Sequence, residues 1–447
     1  MPDEVAIQVA AVKLSTPTIS ETMPEYHIDT FANGLRLVTV EMKHLHNAEL
    51  ICYFGTGGRH ESEEFAGISH FLEHMLFRGA GNYPTSSAIE RAFETIGGAV
   101  NASTDAESTC YHSRVHPTHA AKGLEIFAEM LRNPLFNDLE IERRIIVEEA
   151  REDFNEQGAQ TNPDNLMAAL LWPKQPLGMP LIGNDQSLEA IDLAALRNFH
   201  QQNYVPQNTV IACSGAIERR SILAAAEQFF GDWQGGEPLA ARASLPHQPG
   251  PHQEWIFDSD SQVCLQLAFP MAGRNDPRPL HFSLLRRLLS WGGSALLPQR
   301  LREECGLTYA VEANCSMLSD TGYFGIDLAI APQNLLPALK ETLDVLRRLR
   351  ENPPEEVAFE AARTSYLYDI EFSLDQPEAM TTRFGWGLQA NCLRTLEQDR
   401  TEIQTITPAQ IQDLCRELFT TDQLHLVVVG PWQKTQRPLV DQLLQTF

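Results

Sequence analysis

The chain has 447 residues, of which 43% are hydrophobic and 21% charged, so it can form two or three packed domains and is not wholly disordered. Its 59 acidic and 34 basic residues give a formal charge of −25, which argues against nucleic-acid partners and anionic membrane surfaces. No apolar run is long enough to span a bilayer. The negative charge serves solubility or attracts basic peptides.

The first twenty residues carry acidic side chains at positions 3 and 4 and lack a long apolar core, so they do not resemble a signal peptide. The eight cysteines form no Cys-x-x-Cys pair. We therefore expect reduced, structural thiols in a cytoplasmic protein.

The first half begins with strands. The segment YHIDTFANGLRLVTVEM alternates apolar and polar residues around Asn33-Gly34, which predicts a hairpin with a two-residue turn. Another strand follows in AELICYFGTGG. The patterns then predict helices at about 66–78 and 85–96, strands at about 99–104 and 108–115, a helix from Pro117 to about 132, and a helix at about 138–156 with Asn137-Asp138 available as its cap.

The second half repeats this order. Two strands in HQEWIFDSDSQVCLQLAF precede helices at about 278–290 and 295–304, strands at about 307–316 and 321–330, and long helices at about 332–350 and 355–372. LHLVVVG near the C-terminus adds a strand. We predict an α+β fold of two homologous half-domains, each a mainly antiparallel sheet covered by helices on one face. Their predicted boundaries are 1–235 and 253–447, joined by a linker rich in Pro, Gly and Ala at 236–252.

The segment HFLEH carries the clearest chemistry. His70, Glu73 and His74 fall within about 100° on one face of the predicted helix. Two imidazoles one turn apart can hold zinc, and the carboxylate between them can take a proton from zinc-bound water. The pattern H-x-x-E-H is the inverzincin signature. The alternative is a helix whose histidines are satisfied by neighbouring groups.

Zinc needs a third protein ligand, and the helix at about 138–156 offers five glutamates. Glu142 and Glu149 are two turns apart on one face, so either could approach the histidines. Glu148, Glu152 and Glu156 compete with them, and a helix this acidic is usually a solvated face. Periodicity does not choose among the five. The segment HSRVHPTH, with histidines at 112, 116 and 119, is a much weaker candidate for a second metal site.

Most of the chain resembles the pitrilysin/insulinase (inverzincin) family of zinc metallopeptidases, in its short bacterial and mitochondrial-processing-peptidase-like form. The family pattern places a glutamate ligand at the end of an E-R-x-V-I-L-x-E-like stretch. ERRIIVEE (142–149) matches that stretch, and 74 residues separate His74 from Glu149. The resemblance implies that His70, His74 and Glu149 are the ligands of one zinc ion per chain. It also implies that Glu142 supports a ligating imidazole from outside the coordination sphere.

Two further segments resemble substrate-binding elements of the family. GGAVNASTDAES (97–108) resembles an edge strand to which a peptide adds, so Gly98, Asn101 and Ala102 become expected substrate contacts. By itself this segment indicates only an ordinary strand. RLREECGLTY (300–309) resembles the family's Arg/Tyr element, which implies that Arg302 and Tyr309 stabilise the reacting carbonyl. A surface ion pair is the alternative for Arg302.

The resemblance implies a zinc-dependent endopeptidase that hydrolyses oligopeptides or short unfolded segments, with Glu73 activating zinc-bound water. Longer relatives enclose the peptide between two fused halves, whereas this chain is about one half of such a shell. Because it carries both the zinc motif and the Arg/Tyr element, a homodimer is favoured over a heterodimer with a related subunit. The alternative function is a non-catalytic scaffold or partner subunit of the same fold.

Overall fold

The computed structural model describes residues 24–447, so the signal-peptide prediction lies outside the described residues. The described part contains eleven strands: β1 (Tyr26–Thr30), β2 (Arg36–Glu41), β3 (Ala48–Phe54), β4 (Val100–Thr104), β5 (Thr109–Val115), β6 (Thr209–Gly215), β7 (His252–Phe257), β8 (Val263–Met271), β9 (Thr308–Met317), β10 (Gly322–Ile330) and β11 (His425–Gly430).

Sixteen α-helices occur in the same range: α1 (Ile68–Leu76), α2 (Ser86–Glu94), α3 (Ala120–Arg132), α4 (Leu139–Arg151), α5 (Pro163–Leu171), α6 (Asp185–Ala190), α7 (Leu193–Asn203), α8 (Arg219–Phe230), α9 (Pro279–Ser290), α10 (Leu335–Glu351), α11 (Glu356–Phe372), α12 (Pro377–Thr381), α13 (Gly387–Gln389), α14 (Leu396–Thr405), α15 (Pro408–Leu418) and α16 (Arg437–Gln445). Two π-helices span Pro298–Glu304 and Thr382–Trp386.

The two sheets have matching topologies. The first has the order β1-β2-β6-β3-β5-β4 and the second the order β7-β11-β8-β10-β9. Each contains one parallel pair, β2–β6 in the first and β7–β11 in the second, and the remaining pairs are antiparallel. Aligning the two orders makes β4 of the first half equivalent to β9 of the second. The predicted α+β fold of two similar halves is therefore confirmed.

Each sheet has one face covered by helices of its own half. In the first half, the apolar sides of α1, α2, α3 and α8 close over side chains such as Leu50 and Phe54. In the second half, α9, α10 and α15 close over side chains such as Leu265 and Phe324. Removing these side chains from water stabilises the fold by roughly 1.5–3 kcal/mol each.

The opposite face of each sheet is covered by the other half. Val40 and Tyr53 of the first sheet pack in one cluster with Ile370 and Phe384 from the second half. In return, Trp172, which directly follows α5, packs in a cluster with residues of β8 and β11 in the second sheet. This exchange explains why β3 and β6 are buried along their whole length. No pattern in the local sequence predicts this exchange.

A buried ion cluster joins the halves beside this exchange. Glu107, in the turn between β4 and β5, accepts hydrogen bonds from Arg59 and from Arg274. It also accepts from the backbone N–H of Ser319 at 3.0 Å, while Arg59 pairs with Asp320 at 2.6 Å. Arg59 is only 3% exposed, so the charges of this cluster compensate one another away from water.

Three local predictions were wrong. The β1–β2 connection spans the five residues 31–35 rather than two, and the Asn33 side chain donates to the carbonyl of Phe230 at 2.8 Å. The helix α4 ends at Arg151, so Glu156 lies outside it. Asp138 does not cap α4 through its side chain. Its φ of 58° is left-handed, whereas a capping side chain requires an extended backbone.

Residues 236–251 form neither helix nor strand, and the boundaries 1–235 and 253–447 stay a prediction. All eight cysteines are free thiols, as predicted. Within residues 24–447, no helix combines the length and apolar character needed to cross a bilayer. The cytoplasmic location stays a prediction.

Candidate metal centre

The helix α1 is held at its N-terminus by a buried carboxylate. Glu61 accepts hydrogen bonds from the backbone N–H groups of Gly67 at 2.6 Å and Ser69 at 2.8 Å, which satisfies donors that a helix start leaves free. Gly67 has a left-handed φ of 89°, and a β-carbon there would collide with the backbone of Ile182 and Gly183. Burial raises the pKa of Glu61 to about 7, although these hydrogen bonds oppose the shift. The position of α1 is thus fixed by its preceding loop.

Because the apolar side of α1 is buried in the first core, its polar side faces α4 and β4. Phe71, Leu72 and Met75 are fully buried in the first core. His70 and His74 lie one turn apart, with ring centroids 4.6 Å from each other. The spacing in the sequence therefore places both imidazoles on one face, as predicted from the helical period.

A carboxylate of α4 completes a three-residue cluster, which we call the metal cluster: His70, His74 and Glu149. Nε2 of His70 lies 3.6 Å from one carboxylate oxygen of Glu149, and Nε2 of His74 lies 3.6 Å from the other. One potential ligand atom from each residue lies within 4.8 Å of the other two. Ligands of a tetrahedral zinc ion are about 3.4 Å apart, so the cluster fits zinc in both spacing and donor type. Glu149 is 45% exposed, which leaves the cluster open to solvent on one side.

The two histidines differ in the direction of their pKa shifts. Burial and the neighbouring His74 lower the pKa of His70 to about 4, so His70 is neutral and presents a lone pair. Burial lowers the pKa of His74 as well, but the hydrogen bond to Glu142 and the charges of Glu142 and Glu149 outweigh burial and raise it. A metal ion must therefore displace a more tightly held proton at His74 than at His70.

Glu142 orients His74 from beneath the metal cluster. Its carboxylate accepts a hydrogen bond from Nδ1 of His74 at 2.8 Å and another from Nε of Arg78. Burial acts to raise the pKa of Glu142, but these two partners hold it below its ordinary value. Because Nδ1 of His74 donates, Nε2 is left with the lone pair that a metal needs.

Glu73 lies between the two histidines in the sequence and faces the end of β4. It is almost fully buried, and burial raises its pKa even though the hydroxyl of Thr104 donates a hydrogen bond to Oε2. A buried carboxylate with a raised pKa is a stronger base than an exposed one.

The remaining glutamates of the α4 region stay outside the metal cluster. Glu148 is exposed and pairs with Arg151, while Glu152 caps the end of α4. Among the described residues, the one His/Cys/Asp/Glu group with metal-binding spacing is the metal cluster, so His112, His116 and His119 do not form a second one.

The segment predicted to receive substrate is an edge strand. β4 pairs with β5 on one side, and no strand of the described chain pairs with its other side. Asn101 is exposed and Ala102 is half-buried. A β-carbon at Gly98 would collide with the backbone of Arg114, so only glycine permits this approach to β5. The unpaired backbone of β4 is available to an extended peptide.

The Arg/Tyr element lies elsewhere in the chain. Arg302 and Tyr309 line one cavity of about 460 Å³ in the second half. Arg302 pairs with Glu303 at 2.7 Å, the surface ion pair considered from the sequence, and Tyr309 is 87% exposed. None of the three described residues of the metal cluster lines this cavity. The structure thus brings Arg302 and Tyr309 together at a cavity in whose lining the metal cluster takes no part.

Sequence reasoning missed three supporting residues. Arg78, which anchors Glu142, lies four residues after His74 and just beyond the end of α1, a spacing that could have indicated it. Thr104 ends the strand segment already singled out, but its contact with Glu73 depends on how β4 lies against α1. Glu61 acts through a loop, and no periodic pattern marks it.

Comparison with known proteins gives consistent matches along the chain. A family model described as insulinase (peptidase family M16) matches residues 36–185, and one described as peptidase M16 inactive domain matches residues 190–366. An uncharacterized zinc protease of Rickettsia felis is 30% identical over 338 residues, which cover 74% of this chain and 80% of that protein. An uncharacterized zinc protease of Mycobacterium tuberculosis is 28% identical over 423 residues, covering 93% and 95%.

The fold also matches a solved structure. A protease from Helicobacter pylori superposes with a TM-score of 0.85 at 20% identity, covering 92% of this chain and 100% of that one. The metal cluster lies wholly within the part of the chain that matches the first family model.

Proposed function

The chain belongs to the insulinase family, peptidase family M16, and from this membership we propose that it is a zinc-dependent endopeptidase that hydrolyses oligopeptides or short unfolded segments. The observation that carries the proposal is the convergence of His70, His74 and Glu149 from two helices within 4.8 Å. These three residues would hold one zinc ion per chain. Zinc, when bound, supplies the Lewis acidity that water needs to attack a peptide carbonyl at neutral pH.

Glu73 is the proposed general base. It lies in the same helical turn as His74, and its raised pKa favours taking a proton from the attacking water. The same carboxyl group then gives that proton to the leaving amine, so it returns to its starting state. Glu142 holds His74 in the tautomer that leaves Nε2 free.

The edge strand β4 is the proposed platform for the substrate. A peptide added to its free side would take up hydrogen bonds from the backbone around Asn101 and Ala102. Gly98 supports this role indirectly, because the β-carbon of any other residue would push β4 away from β5. The peptide would then run beside Glu73, which contacts the last residue of β4.

Arg302 and Tyr309 are proposed to act on the metal cluster of a second copy of the chain. Both residues line a cavity of the second half, and Tyr309 is exposed there. In a twofold dimer each chain would present this pair to its partner's cluster. There the guanidinium and the phenol would donate to the carbonyl oxygen as negative charge develops on it. A related subunit in place of the second copy is the alternative.

A substitution that spares the metal tests the activity. Glu73→Gln keeps the shape of the side chain but removes its basicity, so zinc content should stay unchanged while peptidase activity falls by about 10²–10⁴-fold. Activity is followed with an internally quenched peptide and zinc by atomic emission. Glu148→Gln, an exposed glutamate outside the cluster, is the control. Activity near wild type in Glu73→Gln would reject the role of Glu73.

Co-expression tests the shared site. Glu73→Gln and Arg302→Ala carry different tags, so that mixed dimers can be purified. If the pair acts across the dimer, one site of each mixed dimer holds both lesions and the other is intact, which restores about half of the wild-type activity per dimer. If Arg302 serves its own chain, every site carries one lesion and nothing is recovered. Unrecovered activity would thus exclude sharing.

The second candidate is a non-catalytic scaffold or partner subunit of the same fold. The family model for the second half is described as an inactive domain, which supports this candidate. The complete metal cluster in the first half disfavours it, because a scaffold needs no metal ligands. A zinc-replete protein that cleaves none of a panel of unstructured peptides would favour the scaffold.

A further inference from the structure

We propose that Thr104 is a positioning residue that orients the Glu73 carboxylate for proton transfer. Thr104 is the last residue of β4, and its hydroxyl donates to Oε2 of Glu73. The inference rests on the proposed function, because it takes Glu73 to be the general base.

Glu73 has a specific need for such a partner. The terminal torsion of a glutamate has a broad energy minimum, so the carboxylate rotates unless a hydrogen bond fixes it. The bond from Thr104 holds Oε2 and leaves Oε1 available to accept a proton from water. A carboxylate that rotates freely would spend less time in that orientation.

The hydroxyl of Thr104 is itself held firmly in relation to α1. The turn after it is closed by Asp105, which accepts from the backbone N–H groups of Glu107 at 2.9 Å and Ser108 at 2.8 Å. The carbonyl groups of Asp105 and Ala106 accept from Gly58 at 3.2 Å and Arg59 at 2.8 Å.

That same loop leads directly to Glu61, which caps α1. The strand end and the helix are therefore anchored to one segment. Glu107 additionally ties the turn to Ser319 of the second half. With both ends held, the bond between Thr104 and Glu73 restricts the carboxylate rather than the hydroxyl.

The position of Thr104 also connects the base to the substrate platform. Thr104 and Ala102 lie on the same face of β4, because side chains alternate along a strand. A peptide paired with β4 would therefore be aligned by the same strand that orients Glu73. The alignment of the peptide and the orientation of the Glu73 carboxylate would therefore depend on the same strand.

Three variants test whether the Thr104 hydroxyl orients Glu73 for catalysis or only supplies a hydrogen bond to a buried carboxylate. Thr104→Val keeps the branched shape and loses the hydroxyl, and Thr104→Ser keeps the hydroxyl. Thr95→Val is the matched control, since Thr95 lies exposed at the end of α2 and its hydroxyl donates to the carbonyl of Ala92 at 2.8 Å. We expect kcat of Thr104→Val to fall about tenfold, equal to about 1.4 kcal/mol, with KM and zinc content unchanged. Thr104→Ser and Thr95→Val should stay near wild type.

A second readout does not depend on activity. In metal-free protein, Thr104→Val should lower the urea midpoint of the wild type, but should not lower it in a Glu73→Ala background where the acceptor is gone. An equal shift in both backgrounds would show that the contact is absent and would overturn the inference.

The kinetic outcomes also distinguish the two proposals. An unchanged kcat in Thr104→Val, or a loss in Thr104→Ser as large as in Thr104→Val, overturns the positioning role while leaving the peptidase function standing. A wild-type protein without peptidase activity overturns the function, and the inference with it.

Discussion

Substitution of Glu142 by glutamine should weaken zinc binding without abolishing it. Glu142 is 5% exposed and touches no position that a metal ion would occupy; it acts through His74, whose Nδ1 lies 2.8 Å from Oε1. Glutamine keeps the size of the side chain but removes the charge. Its amide also presents a donor group to either His74 or Arg78, both of which are donors themselves.

The size of the effect follows from these contacts. Loss of a partner that orients a ligating imidazole costs about 10–100-fold in metal affinity, equal to about 1.4–2.7 kcal/mol. Arg78 also loses its charged partner, but it is one-fifth exposed and can turn toward water. We therefore expect the free energy of unfolding of metal-free Glu142→Gln to be about 1–2 kcal/mol lower than that of the metal-free wild type. This loss is well below the penalty for a fully buried unpaired charge.

Competition with a chelating indicator at fixed pH measures the zinc dissociation constant, and urea denaturation of the metal-free protein measures the second effect. Glu140→Gln is the matched control, since Glu140 is exposed on the same helix and pairs only with Arg143. A dissociation constant unchanged from wild type would refute the orienting role of Glu142. Complete loss of zinc would instead indicate that Glu142 is itself a ligand.

Three further predictions concern other carboxylates. Glu149→Gln should strip zinc whereas Glu148→Gln should retain it, as measured by metal analysis after gel filtration; the reverse result would displace the ligand by one residue. The raised pKa of Glu61 means that the folded chain keeps a proton which the unfolded chain releases, so stability falls as pH rises from 4.5 to about 7, by up to about 3 kcal/mol. Urea titrations should show a flatter profile for Glu61→Gln, and identical profiles would contradict the shift. Glu107→Gln, which leaves Arg59 buried with less compensation, should destabilise the fold by roughly 2–4 kcal/mol in urea, and an unchanged midpoint would mean that the cluster contributes nothing.

The helical period was sufficient to place His70, Glu73 and His74 on one face, because that relation is local. It was not sufficient to choose between Glu142 and Glu149, which share a face of α4. Depth separates them: Glu142 is buried beneath His74, while Glu149 stands at the rim beside both imidazoles. From the sequence, only the family resemblance assigns the ligand role to Glu149, because it carries information about a whole fold.

Failures of the sequence reasoning arose where a side chain serves a distant partner. Asn33-Gly34 has the residues of a tight hairpin turn, but Asn33 bonds to the end of α8 almost two hundred residues away. Likewise, the sequence of α11 does not show that Phe359 packs in the core of its own half while Ile370 packs against the first sheet. Contacts of this kind are set by topology, and the local sequence does not encode them.

The mutual covering of the two sheets has a consequence for how such a duplicated chain can change over time. Residues 253–447 contain no H-x-x-E-H segment, so the second copy of the fold does not bind a metal through that motif. Its helices nonetheless shield apolar side chains such as Val40 and Tyr53 of the first sheet. Deleting the second copy would expose that sheet to water, even though the metal ligands all belong to the first. The packing of the first copy thus requires the second, independently of any part that the second plays in the chemistry.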